Sequence, residues 1–203
     1  PEEAAPVLTL IGQLQWLISL GRFDIFSALT SVSRFRLAPR RGHLDRLKRI
    51  FGYIKDTKHY GIRVRTDEPS LSEYPDQQFK WQNIYTEDYV PEDLNHPKQL
   101  GVDVVLTSYV DANLYHDMVT GKALTAILHL LNQTPFDWFC KRQATVETAT
   151  YGAEFVAIKV AVEQISDIRW TLSEFGVPIK GKTYLFGDNK AVITSSTFPH
   201  SQL

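Results

Sequence analysis

Three apolar runs in close succession, followed by one long helical pattern and a fourth short run, limit what this chain can fold into more than any other feature. The runs are Val104 to Asn113, Lys122 to Leu131 and Pro135 to Cys140, the second rich in Leu and Ile and the third in aromatics, as strands of a half-buried sheet are. Three strands in succession predict a meander of antiparallel neighbours. From about Thr148 to Phe175 the pattern becomes helical, with Phe155, Ile158, Val162, Ile165 and Leu172 on one face, and Gly176-Val177-Pro178 ends it. Lys182 to Phe186 reads as another strand, Gly187 as a turn, and Asn189 to Ser196 as a short helix. The order strand, strand, strand, helix, strand, helix predicts an α/β fold with a mixed sheet, its last strand reached through a crossover helix.

The first third has a different texture. Apolar residues recur at helical spacing from Leu8 to Leu20, and again at Ile25, Leu29, Val32 and Phe35, with Asp24 expected to cap the second helix. After Pro39, Leu44, Leu47, Ile50, Phe51 and Ile54 form one stripe, while Arg46, Lys48, Arg49 and Lys55 take the remaining surface. Residues 63–103 then turn acidic and proline-bearing, with Pro69, Pro75, Pro91 and Pro97 and no sustained period. The chain therefore divides into a helical segment (1–62), an acidic linker or insertion (63–103) and an α/β domain (104–203). Tyr74, Phe79, Trp81 and Tyr85 are expected to anchor the insertion onto a neighbouring domain.

The formal charge of −1 conceals this partition. Residues 1–62 hold ten Lys/Arg against five acids, a net +5, while residues 63–106 hold four against nine, a net −5. A basic first third suits a phosphate-bearing partner, because neutralising phosphates releases condensed counterions. Arg46, Lys48 and Arg49 are its most concentrated cations, with plain solvation of a basic helix face as the alternative.

Several function classes drop out. A single cysteine, Cys140, makes neither an intrachain disulfide nor a thiolate cluster and fits a reducing intracellular compartment. The six histidines show no paired ligand spacing with Cys, which argues against zinc, and no glycine-rich phosphate loop is present. The apolar run from Ala123 to Leu131 is too short to span a bilayer, so no membrane partner is expected. The sequence opens on Pro1 and closes on Leu203 after a polar run, and both ends read as cuts.

Three acids occupy positions that do not suit acids. Asp111 interrupts the apolar run Tyr109-Val110-Asp111-Ala112, Glu154 sits beside Phe155 in the first turns of the long helix, and Asp188 ends the strand Tyr184-Leu185-Phe186. Burying a carboxylate costs several kcal/mol unless cations or hydrogen bonds compensate, and a hard divalent cation compensates all three. Each also has a plainer explanation: a turn with Asn113, a favourable charge at a helix start, and a helix cap.

The run Phe139-Cys140-Lys141-Arg142-Gln143-Ala144-Thr145-Val146, followed after seven residues by Glu154-Phe155, resembles the ribonuclease H signature of copia-type LTR retrotransposon Pol polyproteins. Ser108-Tyr109-Val110-Asp111-Ala112-Asn113 resembles that family's first strand, Thr120-Gly121-Lys122-Ala123 its second, and Phe186-Gly187-Asp188-Asn189-Lys190-Ala191-Val192 its Asp-Asn block. Upstream, Gly12-Gln13-Leu14-Gln15-Trp16-Leu17, Arg22-Phe23-Asp24-Ile25 and Thr57-Lys58-His59-Tyr60-Gly61 look like the segment that follows the polymerase palm in those reverse transcriptases. The resemblance implies a ribonuclease H-like domain, incomplete at its C-terminal end, behind a thumb or connection segment. Its metal-binding and catalytic residues would be Asp111, Glu154 and Asp188, holding two Mg²⁺ ions (Mn²⁺ as an alternative) to cleave the RNA strand of an RNA·DNA hybrid. Lys141, Arg142 and Asn189 would contact the hybrid, the rest of the polyprotein would be a partner, and the setting would be a cytoplasmic particle or the nucleus.

The sequence also departs from the family. No Tyr-Val-Asp-Asp polymerase motif occurs, Asn113 stands where the family's first strand has a second acid, and Tyr151-Gly152-Ala153 replaces Thr-Glu-Ala. The family's further acid and closing elements would fall after Leu203. The alternative is therefore a non-catalytic, truncated retroelement remnant with at most nucleic-acid binding.

Overall fold

Val7, Ile11, Leu14 and Ile18 recur every three or four residues, and in the computed structural model they form the buried side of helix α1 (Ala4–Ser19). A 3-10 turn (Phe23–Ile25) leads into α2 (Phe26–Ser33), and α3 (Arg41–Asp56) follows. Ile25, Leu29, Val32, Leu47 and Ile50 complete one core with the α1 stripe. The structure describes residues 4–74 and 97–197; Phe79, Trp81 and Tyr85, expected as anchors, lie outside them. Asp24 does not cap α2, whose N-cap position, Ile25, makes no side-chain cap bond. Its carboxylate instead accepts two bonds from the Arg22 guanidinium, at 3.0 and 2.8 Å. A charge-assisted fork outcompetes a single amide.

The second half is a four-stranded mixed sheet in the order β3-β2-β1-β4. Strands β1 (Leu106–Asp117), β2 (Lys122–Leu131) and β3 (Thr134–Arg142) form the antiparallel meander. Helix α4 (Thr150–Glu174) crosses over to β4 (Tyr184–Phe186), which pairs parallel to β1, and α5 (Lys190–Thr197) follows. Strand β1 runs past Asn113, where the apolar pattern stops, through a register irregularity with Tyr115 at φ 53°. It ends at Asp117, a buried carboxylate whose bonds to the following turn justify the extension.

The packed face of α4 is only in part the one the large residues mark: Ile165 is buried and Ile158 packs against the sheet core. Phe155 and Val162 are 45% and 50% exposed, whereas Ala153, Ala157 and Ala161 are fully buried against Val110, Ala112, Ala123 and Ile127. Small side chains let the helix backbone approach a sheet already filled by branched residues. A stripe of alanines carries a weak apolar signal, which is why the pattern of large residues misplaces Phe155 and Val162. At the far end, Gly176 adopts φ 70°, and the Val177 amide reaches back to the Leu172 carbonyl at 2.9 Å, a left-handed helix stop.

The two cores meet across β3. Trp138 packs against the helical core and lies 5.2 Å from the Phe23 ring, and the Thr30 hydroxyl donates to the Cys140 thiol at 3.9 Å. Among its described residues the insertion forms no helix or strand and is tied to the sheet. The Arg65 amide donates to the Thr134 hydroxyl at 2.7 Å, Lys180 pairs with Glu68 at 2.7 Å, and Tyr74 meets the Phe186 ring edge-on at 4.9 Å.

The alanine face gives a direct test. Ala157→Leu should destabilise the chain by about 1–3 kcal/mol through overpacking, while Val162→Ala on the exposed face should change it by less than about 0.5 kcal/mol. Urea denaturation followed by circular dichroism compares them; equal effects would contradict the packing described.

Candidate metal centre

Alternation along β1 puts Tyr109 and Asp111 on one side of the sheet and Val110 and Ala112 on the other, against α4. Strand β4 pairs with β1 only as far as Tyr109, opposite Phe186. Beyond that pair the sheet opens into a notch. Gly187 turns the chain there, close enough to Val110 that an added Cβ would lie 3.7 Å from its methyl group, and Asp188 follows at the strand's tip. From the other side α4 brings Glu154, one residue after the fully buried Ala153. The Ala112 backbone lies beside the Glu154 carboxylate and favours its charged form.

The outcome is convergence from three elements: one carboxylate oxygen each of Asp111, Glu154 and Asp188 lie within 4.8 Å of one another. Burial is uneven, with Glu154 only 4% exposed and the two aspartates open to solvent. The expectation of three buried acids thus holds for Glu154 alone. Burial, reinforced by the negative charges of Asp111 and Asp188, pushes the Glu154 carboxyl up to about 7. The plainer explanations lose ground: β1 does not turn at Asn113, and Glu154 lies beyond the first turn of α4. The cap of α5 is supplied by Asn189, whose side-chain oxygen accepts from the Ala191 and Val192 amides at 3.1 and 3.2 Å, and not by Asp188.

Gln143 explains how Glu154 is aimed. Its buried amide donates to the Thr125 hydroxyl at 3.0 Å and to the Ala153 carbonyl at 2.8 Å, fastening the start of α4 to β2. Glu147 lies outside α4, which begins at Thr150, and is not on the Glu154 face. The buried line Ser108, His129, Gln164, with contacts of 2.7 and 3.1 Å, joins β1 and β2 to α4. Ser108 and His129 are fully buried, so the line is structural.

The expected nucleic-acid contacts fall in different places. Lys141 pairs in register with Thr125, itself opposite Ala112, so it stands two strand spacings, roughly 10 Å, from the acids. Arg142 is exposed but engaged, its guanidinium 2.6 Å from the buried Asp117 carboxylate. Asn189 is committed in part to its cap. Arg46, Lys48 and Arg49 are exposed on α3 and line neither the cavity beside the acids nor the one beside Asp117. Sequence reasoning passed over Asp117, although Asp117 followed by Thr120-Gly121 is a turn pattern in which the acid bonds amides two and three residues on. It also passed over a cavity of about 540 Å³ beside the acids, floored by Tyr109 and Phe186 and walled by Phe23, Phe26 and Trp138.

Among the described residues no helix is long and apolar enough to cross a membrane. No protein-family model and no solved structure matches the chain. It is 23% identical over 180 residues to the Retrovirus-related Pol polyprotein from transposon RE1 of Arabidopsis thaliana, an alignment covering 89% of this chain and 10% of that protein. It is also 22% identical over 159 residues to the Secreted RxLR effector protein 161 of Plasmopara viticola, covering 78% of this chain and 88% of that protein. The chain spans about a tenth of the polyprotein it matches, and an alignment of that length takes in both the helical segment and the sheet. The chain is thus distantly similar to a retrotransposon Pol polyprotein.

Proposed function

We propose that the chain carries the ribonuclease H portion of a copia-type retroelement Pol polyprotein and that its acidic cluster serves metal-dependent hydrolysis of the RNA strand in RNA·DNA hybrids. The observation that carries this reading is the approach of the Asp111, Glu154 and Asp188 oxygens to within 4.8 Å. In this reading residues 1–62 are the thumb or connection segment, 63–103 a linker, and 104–203 the ribonuclease H-like domain. The polyprotein similarity and the β-β-β-α-β order of the sheet support it.

The donor set fits a hard divalent cation such as Mg²⁺ or Mn²⁺. All three ligands are carboxylates, two of them reachable from solvent, and their mutual repulsion is what such a cation relieves. When bound, two such ions supply activation of the attacking water and neutralisation of charge at the phosphodiester. The protein's own residues prepare the place. Asp111 and Asp188 present their carboxylates at the solvent side of the notch, and the buried Glu154 closes its inner wall. A proton on Glu154 lessens the repulsion among the three carboxylates, a role that a bound cation would take over. Lys141 is within reach of a phosphate adjacent to the one at the acids.

Two outcomes follow. Full-length chain with a labelled RNA·DNA hybrid and Mg²⁺ should cleave the RNA strand, and Asp111→Asn, Glu154→Gln or Asp188→Asn should each reduce cleavage to the level of buffer alone. Absence of cleavage by the unaltered chain would favour a non-catalytic remnant. Separately, Glu154 has a folded value of about 7 against 4.5 when free. Between those values the unfolded chain ionises first while the folded chain keeps its proton, so stability without metal should fall as pH rises from about 4.5 to 7 and level off above. Asp117, held far below the ordinary range by hydrogen bonds from Thr120 and Arg142, contributes its change only at lower pH. Melting temperature against pH in EDTA checks this; Glu154→Gln should remove the decline, and a decline that persists would contradict it.

A further inference from the structure

On the sheet face turned away from α4, the strand register lays side chains in two rows. Phe186, Tyr109, Leu128 and Trp138 form the first, each paired with the next across β4, β1, β2 and β3. Asp111, Ala126 and Cys140 form the second, two residues along, and Asp188 extends it beyond the end of β4. The rows differ in size, and the difference leaves a cavity. Small side chains at Ala126 and Cys140 stand beside a row of large ones, and Phe23 and Phe26 of the helical segment roof the gap without filling it, enclosing about 540 Å³. That volume suits a small organic molecule. Tyr109 and Phe186 stack at 5.0 Å on its floor, and Phe23 and Trp138 meet at 5.2 Å on its far wall. None of these rings is fully buried, so their faces are open to an occupant. The charge of the cavity is one-sided. Asp24, Asp111 and Asp188 line it, and no Lys, Arg or His does. The Arg22 guanidinium engages Asp24 at 2.8 Å, which leaves the Asp111 and Asp188 carboxylates as the uncompensated charge at one end.

We propose that this cavity binds an organic ammonium ion, its apolar body against the rings of Tyr109, Phe186 and Trp138 and its charged head at Asp111 and Asp188. Charge complementarity selects this class of ligand. An anion is repelled by the two carboxylates, and a neutral molecule covers them with apolar surface and compensates neither. An ammonium group satisfies both walls, because aromatic faces carry the negative side of the ring quadrupole and attract a cation as the carboxylates do. Asp111 and Asp188 are also two of the three acids that converge in the notch. An ammonium head and a divalent metal therefore compete for the same oxygens, and each weakens the other by the same factor. The inference goes beyond the nuclease reading and does not rest on it: the cavity lies on the face opposite α4 and involves no phosphate.

The test is calorimetric titration of the full chain in EDTA with three probes that share one ring and differ in charge: benzyltrimethylammonium, benzyl alcohol and phenylacetate. The cation should bind saturably and at least about tenfold more tightly than the alcohol, and phenylacetate should not bind. Asp111→Asn/Asp188→Asn should abolish the preference for the cation. Tyr109→Leu, at a half-exposed position, should weaken the cation by about threefold or more and leave the alcohol unchanged, with the melting temperature as the control for folding. Without EDTA, saturating Mn²⁺ should weaken the cation. Equal affinity for cation and alcohol overturns the proposal, because it makes the cavity a plain apolar one. A preference that survives the two Asn changes, or a cation that Mn²⁺ does not weaken although Mn²⁺ itself binds, overturns it as well. Mn²⁺ binding without preference for the ammonium probe would sink the cavity and leave the metal reading standing, and the preference without any Mn²⁺ binding would do the reverse.

Discussion

Glu154 sets the terms for the sheet half of the molecule. A carboxyl group that is 4% exposed and faces two further carboxylates is held there by backbone proximity, since α4 meets the sheet through alanines. Any larger residue at Ala153 or Ala157 would lift the helix and with it the acid. Gln143 adds the lateral constraint by bonding the Thr125 hydroxyl and the Ala153 carbonyl, so the residue before Glu154 is fixed to β2. The ending of β4 at Phe186 does the rest, because a longer strand would fill the notch in which the three acids meet. Packing enforces the repulsion among these groups, and the raised value of Glu154 is its electrostatic signature.

The helical segment has its own core, yet it is joined to the sheet by more than a tether. Phe23 against Trp138 and Thr30 against Cys140 form an apolar junction, and Asp117 between Arg34 and Arg142 forms an ionic one. Removing one member of a buried ion pair leaves the others uncompensated, so such junctions fix orientation more than they add stability. The surface between the two halves carries both cavities, apolar beside the acids and basic farther along. A segment of net +5 docked against a sheet bearing a carboxylate cluster yields a groove with a negative and a positive end.

Much of this was legible in the sequence, for identifiable reasons. Strong β-propensity and short gaps gave β2 its ends at Lys122 and Leu131, and the order of runs gave the mixed α/β sheet. The three acids were legible as exceptions within apolar runs and through their resemblance to a known signature, and their oxygens do converge. What failed is equally physical. Periodicity weights large residues, so it chose Phe155 and Val162 over the alanines that touch the sheet. Asp24 was assigned a cap because a backbone amide is the nearest donor in sequence, but the Arg22 fork is the better one in space. The Asp117 junction joins residues 83 and 25 positions apart, a distance at which no local pattern operates.

The central claim is that the three carboxylates form one cation site. Calorimetric titration of the full chain with Mn²⁺ near pH 6.5, repeated in two buffers of different ionisation enthalpy, tests it most directly. Saturable binding with net release of protons, lost when Asp111 and Asp188 are changed to Asn, is the result this account requires. Binding that survives those changes, or no binding at all, would contradict it.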